Sequence, residues 1–243
     1  MIATLNDHLL KLYGPRGWWP ISLFTADADP LSPNSSLSKS PYHIGDYSYP
    51  KNDNQRLEIA FGAILTQNTN WTNVTKALGN IFESGNFSES KINQISQDKL
   101  GKIIKSAGYF NQKSGYLKNF CAYLAHTPFS KIQKMTLDQA RGELLGLKGL
   151  GPETADCILL YACGHVSFVI DAYTQRFLMA LGLANDKSSY QNMQKLFTQA
   201  LPPDLTTYQE LHALLVTHGK YFYSKKPYGI SDPLLHLAKK GLF

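Results

Sequence analysis

Cysteines are scarce in this chain and long apolar runs are missing, and each shortage excludes a class of protein. The 243 residues include only three cysteines, too few for a disulfide framework and one short of the four thiolates of an iron–sulfur cluster. No apolar run approaches the roughly 18 residues of a membrane-spanning helix. The first residues, Met1 to Lys11, lack the features of a signal peptide. We therefore expect a cytoplasmic protein that does not enter a membrane.

The charge balance gives a moderate indication about the partner. Lysine and arginine number 24 against 18 aspartates and glutamates, for a net charge of +6, and 43% of the residues are hydrophobic. This is ordinary globular composition with an excess of positive charge. Such an excess favours a polyanionic partner, although a basic protein without any nucleic-acid role remains an alternative at this point.

Apolar residues recur with helical spacing along most of the chain. Leu57, Ala60, Phe61, Ile64 and Leu65 follow the i, i+3, i+4, i+7, i+8 pattern of one helix face. Similar stripes follow, one of them opened by Thr136 with Gln139 three residues later, which predicts a capping box. No run of alternating strand residues stands out. The pattern predicts an all-α fold.

One stretch interrupts the helical pattern. Between Thr25 and Asn54 four prolines lie among serine, aspartate and asparagine residues. This composition predicts a loop. Because loops of such length are uncommon inside compact domains, it is interpreted as an insertion.

The segment from Leu147 to Asp156 carries the first functional signal. Gly149 and Gly151 allow positive φ and close backbone approach, and Pro152 suits the first position of a helix. A tight glycine turn before a helix presents N–H groups that can hold a phosphate without reading base sequence. A plain helix–turn–helix connection is the alternative for a glycine pair taken alone.

The order Leu-x-Gly-x-Gly-x-x-Thr-Ala in this segment resembles the helix-hairpin-helix of the endonuclease III superfamily of DNA glycosylases. The resemblance extends over about residues 56 to 227. It includes a motif around Gln67, a motif around Asp171 and the segment His218-Gly219-Lys220. Asp171, 20 residues after Gly151, stands where the superfamily has its catalytic aspartate, and Gln67 stands where it has a glutamine that enters the gap left by a flipped base. The implied phosphate-binding hairpin consists of Leu147, Lys148, Gly149, Leu150, Gly151 and Thr154.

Capping the following helix is the alternative role of Asp171, and the two roles are compatible. For Gln67 the alternative is a surface position at a helix end. In the implied role, its amide offers both a donor and an acceptor to the unpaired base.

Two departures from the parent family bear on chemistry. Glu153 occupies the position of the hairpin lysine that forms a Schiff base in bifunctional members, so strand cleavage is expected to be absent or weak. Lys148 lies at a different position and is interpreted as a solvent or phosphate contact. Tyr228 to Ile230 stand in place of the family's cluster cysteines. No cofactor and no iron–sulfur cluster are therefore expected. The one metal that the resemblance leaves open is a monovalent cation bound by carbonyls of the hairpin.

These departures resemble the subgroup of 3-methyladenine DNA glycosylase III. The subgroup pairs a hairpin glutamate with a Trp-Trp-Pro segment, here Trp18, Trp19 and Pro20, and has an aromatic residue after the glutamine turn, here Trp71. Alkylation makes a purine cationic, and an electron-rich indole attracts such a ring. The resemblance implies a base pocket of Trp18, Trp19, Pro20, Trp71 and Glu153. Core anchoring is the alternative for the tryptophans, and a helix-capping role is the alternative for Glu153.

The subgroup also places a C-terminal lysine near the pocket. Lys220, Lys225 and Lys226 are all candidates for that position.

The resemblance implies two lobes with the active site in the cleft between them. Residues 56–165 would form the helical barrel that ends in the hairpin, and residues 1–55 with 166–243 the second domain, with 24–55 as a loop insertion. The expected partner is duplex DNA with damaged bases, bound by a monomer. The expected activity is removal of alkylated purines without strand cleavage.

Three alternatives remain open from the sequence. They are an endonuclease III-like enzyme for oxidised pyrimidines with weak lyase activity, an inactive lesion-binding protein, and a helical scaffold without a nucleic-acid role.

Overall fold

The computed structural model describes residues 2–23 and 42–241, and these ranges contain helices and no strands. The all-α prediction is confirmed. Much of the predicted loop between Thr25 and Asn54 lies outside the described residues. Its last part is non-helical from residue 42 to Asn52, whose side chain accepts a hydrogen bond from the Gln55 N–H and so starts a helix at Asp53. The loop therefore ends two residues earlier than the composition indicated.

The described residues group into two compact units. The terminal unit comprises residues 2–19, 42–47 and 166–241, and the central unit comprises residues 20–23 and 48–165. Residues 20–23 and 48–55 thus pack with the central unit. The α-helices in chain order are α1 Ile2–Tyr13, α2 Asp53–Leu65, α3 Trp71–Glu83, α4 Glu89–Gln94, α5 Gln97–Ile103, α6 Phe110–Leu124, α7 Phe129–Ile132, α8 Leu137–Leu145, α9 Pro152–Cys157, α10 Ala172–Ala180, α11 Tyr190–Ala200, α12 Leu205–Phe222 and α13 Pro233–Lys239.

The central unit is built around α2. Every residue from Leu57 to Leu65 is buried, because α3, α6 and α9 pack around this helix. The sequence pattern predicted a single apolar face. A helix surrounded by neighbours has no solvent face, so its apolar positions extend all round.

Local sequence signals set several helix ends in the central unit. The capping box predicted at Thr136 is confirmed, since its side chain accepts from the Gln139 N–H and the Gln139 side chain accepts from the Thr136 N–H. Two shorter segments are not α-helical: Lys105–Ala107 forms a 3₁₀ turn, and Ile158–Cys163 continues α9 as a π-helix. The apolar residues Ala155, Ile158, Leu159 and Ala162 have the spacing of a regular α-helix, because such spacing does not report a local widening of the hydrogen-bond ladder.

The terminal unit is built around α12. All residues from Tyr208 to Gly219 are buried, and α1 and α10 pack against this helix. Several of these residues are polar, among them Glu210, His212 and His218. Polar groups are retained in such a position when they bond to neighbouring chain, and on α12 they support the candidate site. None of the helices in the described ranges combines the length and apolarity needed to cross a membrane.

Candidate functional site

Asp171 is the residue that caps α10. Its backbone is extended, and its Oδ1 accepts a hydrogen bond from the Thr174 N–H at 2.8 Å. No hydrogen bond from the described residues reaches Oδ2, and the side chain is half-buried. The cap fixes the carboxylate through one oxygen and leaves the other available for chemistry.

A buried carboxylate on α12 fixes the chain that leads into Trp18. Glu210 accepts hydrogen bonds from the backbone N–H groups of Arg16 and Gly17, the second at 3.1 Å, and from the Tyr47 hydroxyl at 3.2 Å. Burial and the neighbouring Glu210 raise the pKa of Tyr47, so this phenol stays a donor. Such charge-assisted bonds are stronger than neutral ones, so Glu210 holds the approach to Trp18 firmly.

Trp18 lies against aromatic rings and one cation. Its ring is parallel to that of Tyr42 at 6.1 Å between centroids, and it meets Trp19 and His212 edge to face at 6.0 and 6.2 Å. The Lys220 ammonium nitrogen lies 5.6 Å from the Trp18 ring centroid. The indole N–H is buried and has no hydrogen-bond partner among the described residues, although a buried tryptophan usually finds one.

Of the three C-terminal lysine candidates, Lys220 is the one that contacts Trp18. Partial burial of its ammonium lowers the pKa of Lys220, Arg16 lowers it further, and Asp171 acts in the opposite direction. Lys225 and Lys226 are exposed. Trp18, Lys220 and Asp171 therefore belong to one electrostatically connected group.

Close packing of α10 and α12 makes this group possible. A side-chain carbon at Gly219 would overlap the Tyr173 ring, so the two helices approach here only because position 219 is glycine. The approach brings the end of α12, with Lys220, next to the start of α10, with Asp171.

His212 is a supporting residue that the sequence reasoning missed. It is 2% exposed and meets the Trp18 ring from the α12 side. Burial lowers the pKa of His212 and Asp171 opposes this effect, so the imidazole is neutral at ordinary pH. The available signal was a histidine directly between the apolar residues Leu211 and Ala213.

The C-terminal turn is held together by side chains. The Tyr223 hydroxyl donates to Asp232 at 2.6 Å, and His218 Nε2 lies 3.0 Å from the same carboxylate. Burial raises the pKa of Asp232, but His218 and Tyr223 outweigh it and hold the pKa below its usual value. Tyr228 lies under the Arg176 guanidinium at 4.7 Å.

The chain lacks the donors of a cluster in this region. Cys121, Cys157 and Cys163 are all buried in the central unit, away from the C-terminal turn in sequence. Among the described residues, no group of three His, Cys, Asp or Glu side chains could hold a metal ion.

The predicted hairpin joins α8 to α9 in the central unit. Arg141 on α8 makes a two-pronged ion pair with the buried Asp156 on α9, at 2.8 and 3.1 Å. Gly149 has φ +102°, and a side-chain carbon there would overlap the Tyr116 ring, so only glycine fits. Lys148 is exposed, and its carbonyl accepts from the Asn119 amide at 3.0 Å.

Gly151 corrects one expectation about the hairpin. Its backbone is extended, with φ −85°, so it does not use positive φ. A side-chain carbon there would meet nothing within 4 Å. Glycine at this position leaves the space in front of the first N–H groups of α9 open. Pro152 takes the first helical position, as predicted.

Gln67 is held against the hairpin. Its Nε2 donates to the Gly149 carbonyl at 3.0 Å and to Thr154 Oγ1 at 3.1 Å. The structure thus joins two motifs that the sequence suggested separately. Both amide hydrogens of Gln67 are used by the hairpin here, and its role beside an unpaired base stays a prediction.

A cavity of about 190 Å³ adjoins Gln67 and is lined by Gln67, Asn68, Tyr109, Gln112, Lys113 and Tyr116. Tyr109 is 64% exposed and has a left-handed backbone, with φ 45°. Lys113 is buried, and its ammonium donates to the carbonyls of Leu65 and Ala107, each at 2.8 Å. Burial lowers the pKa of Lys113 to about 8. This lysine fixes the ends of two segments that precede Gln67 and Tyr109.

Trp71 is the first residue of α3 and is half-buried, Glu153 is exposed in the first turn of α9, and Pro20 is buried. All three belong to the central unit, whereas Trp18 and Trp19 belong to the terminal unit. The buried Glu58 on α2 accepts from the Ser22 and Leu23 N–H groups, which fixes the chain that follows Pro20.

Comparison with known proteins is consistent across three kinds of similarity. The model of the HhH-GPD superfamily base excision DNA repair proteins matches residues 61–203. A protein assigned as a DNA repair glycosylase in Methanocaldococcus jannaschii is 37% identical over 231 residues, which is 93% of this chain and 90% of that protein. Endonuclease III of Buchnera aphidicola is 28% identical over 191 residues, 75% of this chain and 87% of that protein.

Solved structures show the same fold. The Helicobacter pylori 3-methyladenine DNA glycosylase bound to 1,N6-ethenoadenine is 25% identical, with a TM-score of 0.65 over 90% of this chain and 95% of that chain. A covalent endonuclease III–DNA complex gives a TM-score of 0.70 at 19% identity, over 100% of this chain and 97% of that chain.

Proposed function

Because the chain belongs to the HhH-GPD superfamily of base excision DNA repair proteins, we propose that it hydrolyses the N-glycosidic bond of alkylated, 3-methyladenine-type purines in duplex DNA without cutting the strand. The endonuclease III-type resemblance is confirmed, and base excision follows from it. The substrate, the residues and the absence of strand cleavage are what the proposal adds.

One observation carries the substrate: a cation lies over the Trp18 ring. The Lys220 ammonium at 5.6 Å occupies the position that a positively charged base would take against an indole face. Such an interaction contributes about 0.5–2 kcal/mol, more where water is excluded. Lys220 is a surface residue in the last turn of α12, so an alkylated purine can replace its ammonium over the ring. A neutral base is bound less strongly by the Trp18 ring, because it carries no positive charge.

Asp171 supplies the chemistry. As the bond between the sugar and the base breaks, positive charge develops on the sugar, and a fixed carboxylate beside it stabilises that charge. The same carboxylate takes a proton from the attacking water. An alkylated purine is already a good leaving group, so the protein needs little acid catalysis of base departure. Only one oxygen of Asp171 is used by the helix cap.

The central unit supplies the contacts that bind DNA. A base inside a duplex must be flipped out before it is attacked, at a cost of a few kcal/mol. The hairpin N–H groups in front of α9 bind phosphate, and the exposed Lys148 adds charge. Gln67 and the exposed Tyr109 face the distorted duplex, where an aromatic ring stacks on bases without reading sequence.

Absence of strand cleavage follows from the hairpin residue. A lyase needs an amine to form an imine with the sugar, and the matching position holds Glu153. We expect no covalent complex when the protein acts on alkylated DNA in the presence of borohydride. Lys148→Met serves as a control for the one hairpin amine, and trapping of the wild type that disappears in this variant would overturn the monofunctional assignment.

No cofactor or iron–sulfur cluster is part of the proposal, since the chain has three cysteines where a cluster needs four. The H. pylori 3-methyladenine DNA glycosylase supports the substrate class by similarity.

Asp171→Asn tests the proposal against a protein that only binds lesions. Wild type and variant are incubated with duplex DNA treated with a methylating agent, and released bases are identified by chromatography while DNA affinity is measured in parallel. We expect the variant to bind DNA like the wild type and to release almost no methylated base. Equal release by both proteins would remove Asp171 from the mechanism, and no release by either would remove the substrate.

A further inference from the structure

Asp171 follows a buried stretch of chain that belongs to no helix. Phe168, Val169 and Ile170 are fully buried, and they make no backbone–backbone hydrogen bond within the described part of the chain. Buried backbone groups are paired in folded proteins, so side chains have to supply the partners here. The placement of Asp171 therefore depends on the side chains that hold this stretch.

Helix α11 supplies these partners. The hydroxyl of Tyr190 accepts a hydrogen bond from the Ile170 N–H at 3.2 Å. The side-chain amide of Gln194 donates to the Phe168 carbonyl at 2.6 Å. The two side chains are four residues apart, so they lie on the same face of α11. Together they hold the peptide groups on both sides of Val169.

Aromatic contacts keep α11 in register with the same stretch. The Phe168 ring lies nearly parallel to the Phe197 ring of α11, with 4.1 Å between centroids. Tyr208 of α12 meets the Phe168 ring edge to face at 5.3 Å. Aromatic pairs add a directional attraction to the burial of their rings. The two polar side chains of α11 therefore meet the backbone at one fixed position.

We propose that Tyr190 and Gln194 are positioning residues for base release, because they fix the backbone that leads directly into Asp171. On the other side, the hydrogen bond from the Thr174 N–H ties the carboxylate to α10. A carboxylate whose chain is held on both sides keeps its second oxygen in one place, which stabilisation of the charge that develops on the sugar requires. The inference rests on the proposed function of Asp171.

Single-turnover rates separate this positioning from DNA binding. Tyr190→Phe removes the acceptor and Gln194→Met removes the donor, while both variants keep the bulk of the side chain. At saturating protein we expect each to release 3-methyladenine from methylated duplex DNA about three- to thirtyfold more slowly, below the roughly hundredfold cost of a displacement of about 1 Å. DNA affinity should stay that of the wild type. A wild-type rate in either folded variant would overturn the inference.

Gln191 provides a matched control on the same helix. It is exposed, and Gln191→Met makes the same chemical change as Gln194→Met, so it should keep the wild-type rate. All rates are measured well below the unfolding temperature of every variant, where a loss of stability leaves the folded fraction unchanged. Equal slowing by the two methionine variants would assign the effect to α11 in general and refute the inference.

Amide hydrogen exchange tests the positioning without catalysis. The buried Thr174 N–H bonds to Asp171, so its exchange, followed by NMR, reports how firmly this cap is held. We expect faster exchange at Thr174 in Tyr190→Phe and Gln194→Met. Thr207, which Asp204 caps in the same way on α12, should exchange as in the wild type. Unchanged exchange at Thr174 would contradict the inference.

Failure of this inference and failure of the proposed function are distinguishable. A protein whose two α11 variants release methylated bases at the wild-type rate keeps its function and loses the inference. A protein that releases no methylated base, but whose variants show faster exchange at Thr174 alone, loses the proposed function and keeps the positioning by α11.

Discussion

The ammonium nitrogen of Lys220 lies 5.6 Å from the centroid of the Trp18 ring, so a cation lies over the indole face. Burial lowers the pKa of Lys220, Arg16 lowers it further, and Asp171 acts in the opposite direction. A positively charged base that enters this group meets the same ring and the same carboxylate. Under the proposed function, the sugar of that base lies beside Asp171.

Replacement of Trp18 tests the cation site. We expect Trp18→Leu to slow the release of 3-methyladenine by about two- to thirtyfold, the equivalent of a lost cation–π interaction of about 0.5–2 kcal/mol. Trp18→Phe keeps a weaker aromatic face and should lie between the leucine variant and the wild type. Single-turnover rates measure the effect, and a leucine variant as fast as wild type would show that the ring does not hold the base.

Two substitutions at Asp171 separate capping from catalysis. Asparagine caps helices about as well as aspartate, whereas alanine loses a cap for about 0.5–2 kcal/mol. We expect Asp171→Ala to lower the free energy of unfolding by that amount and Asp171→Asn to leave it nearly unchanged. Both should reduce base release by about 10²–10⁴-fold. Denaturant unfolding and release assays on the same preparations check this, and an asparagine variant with wild-type release would limit Asp171 to capping.

We expect Glu210 to affect base release because it holds the backbone of Arg16 and Gly17, which leads into Trp18. In Glu210→Gln one carboxylate oxygen becomes an NH₂ group that faces donors from Gly17, Arg16 or Tyr47, at a cost of about 1–3 kcal/mol. We expect lower stability together with slower base release.

The matched control for Glu210 lies on the same helix. Thr217 is buried and its hydroxyl donates to Ala213 within α12, so Thr217→Val should leave base release unchanged. Thermal unfolding and single-turnover rates are compared for both variants. Equal release by Glu210→Gln and Thr217→Val would contradict a positioning role for Glu210.

Lys113 predicts a pH dependence of stability. Its pKa falls from 10.5 to about 8 on folding, so between these values the unfolded chain binds more protons than the folded one. The contribution of Lys113 to the free energy of unfolding therefore rises as pH rises through this window. The rise is at most about 1.4 kcal/mol per pH unit and is reduced by solvent screening.

The difference between wild type and Lys113→Met isolates this effect. Other lysines, tyrosines and cysteines titrate alike in both proteins, so their contributions cancel. Denaturant unfolding from about pH 7 to about pH 9.5 should give a difference that shifts in favour of the wild type. A constant difference would mean that Lys113 keeps its ordinary pKa in the fold.

Features that depend on a few neighbouring residues could be predicted from the sequence. The capping box at Thr136, the turn at Gly149 with Pro152 after it, and the cap at Asp171 all follow from short-range spacing and from the conformations that those residue types allow. The helical class followed in the same way from apolar periodicity.

Features that depend on distant residues could not be predicted. Glu210 lies 193 positions from Gly17, and Gln67 lies 82 positions from Gly149, so no local pattern marks either contact. The contact of the Gln67 amide with the hairpin was not foreseen for this reason. His212 was missed because a single histidine among apolar residues does not reveal that the helix is surrounded on all sides.

The most direct test of the central claim is to identify what the wild-type protein releases from methylated duplex DNA. Chromatography of the released bases is combined with a denaturing gel of the same reaction before and after alkali. The account predicts free 3-methyladenine and strand breaks that appear only after alkali. Release of no methylated base, or strand breaks without alkali, would contradict it.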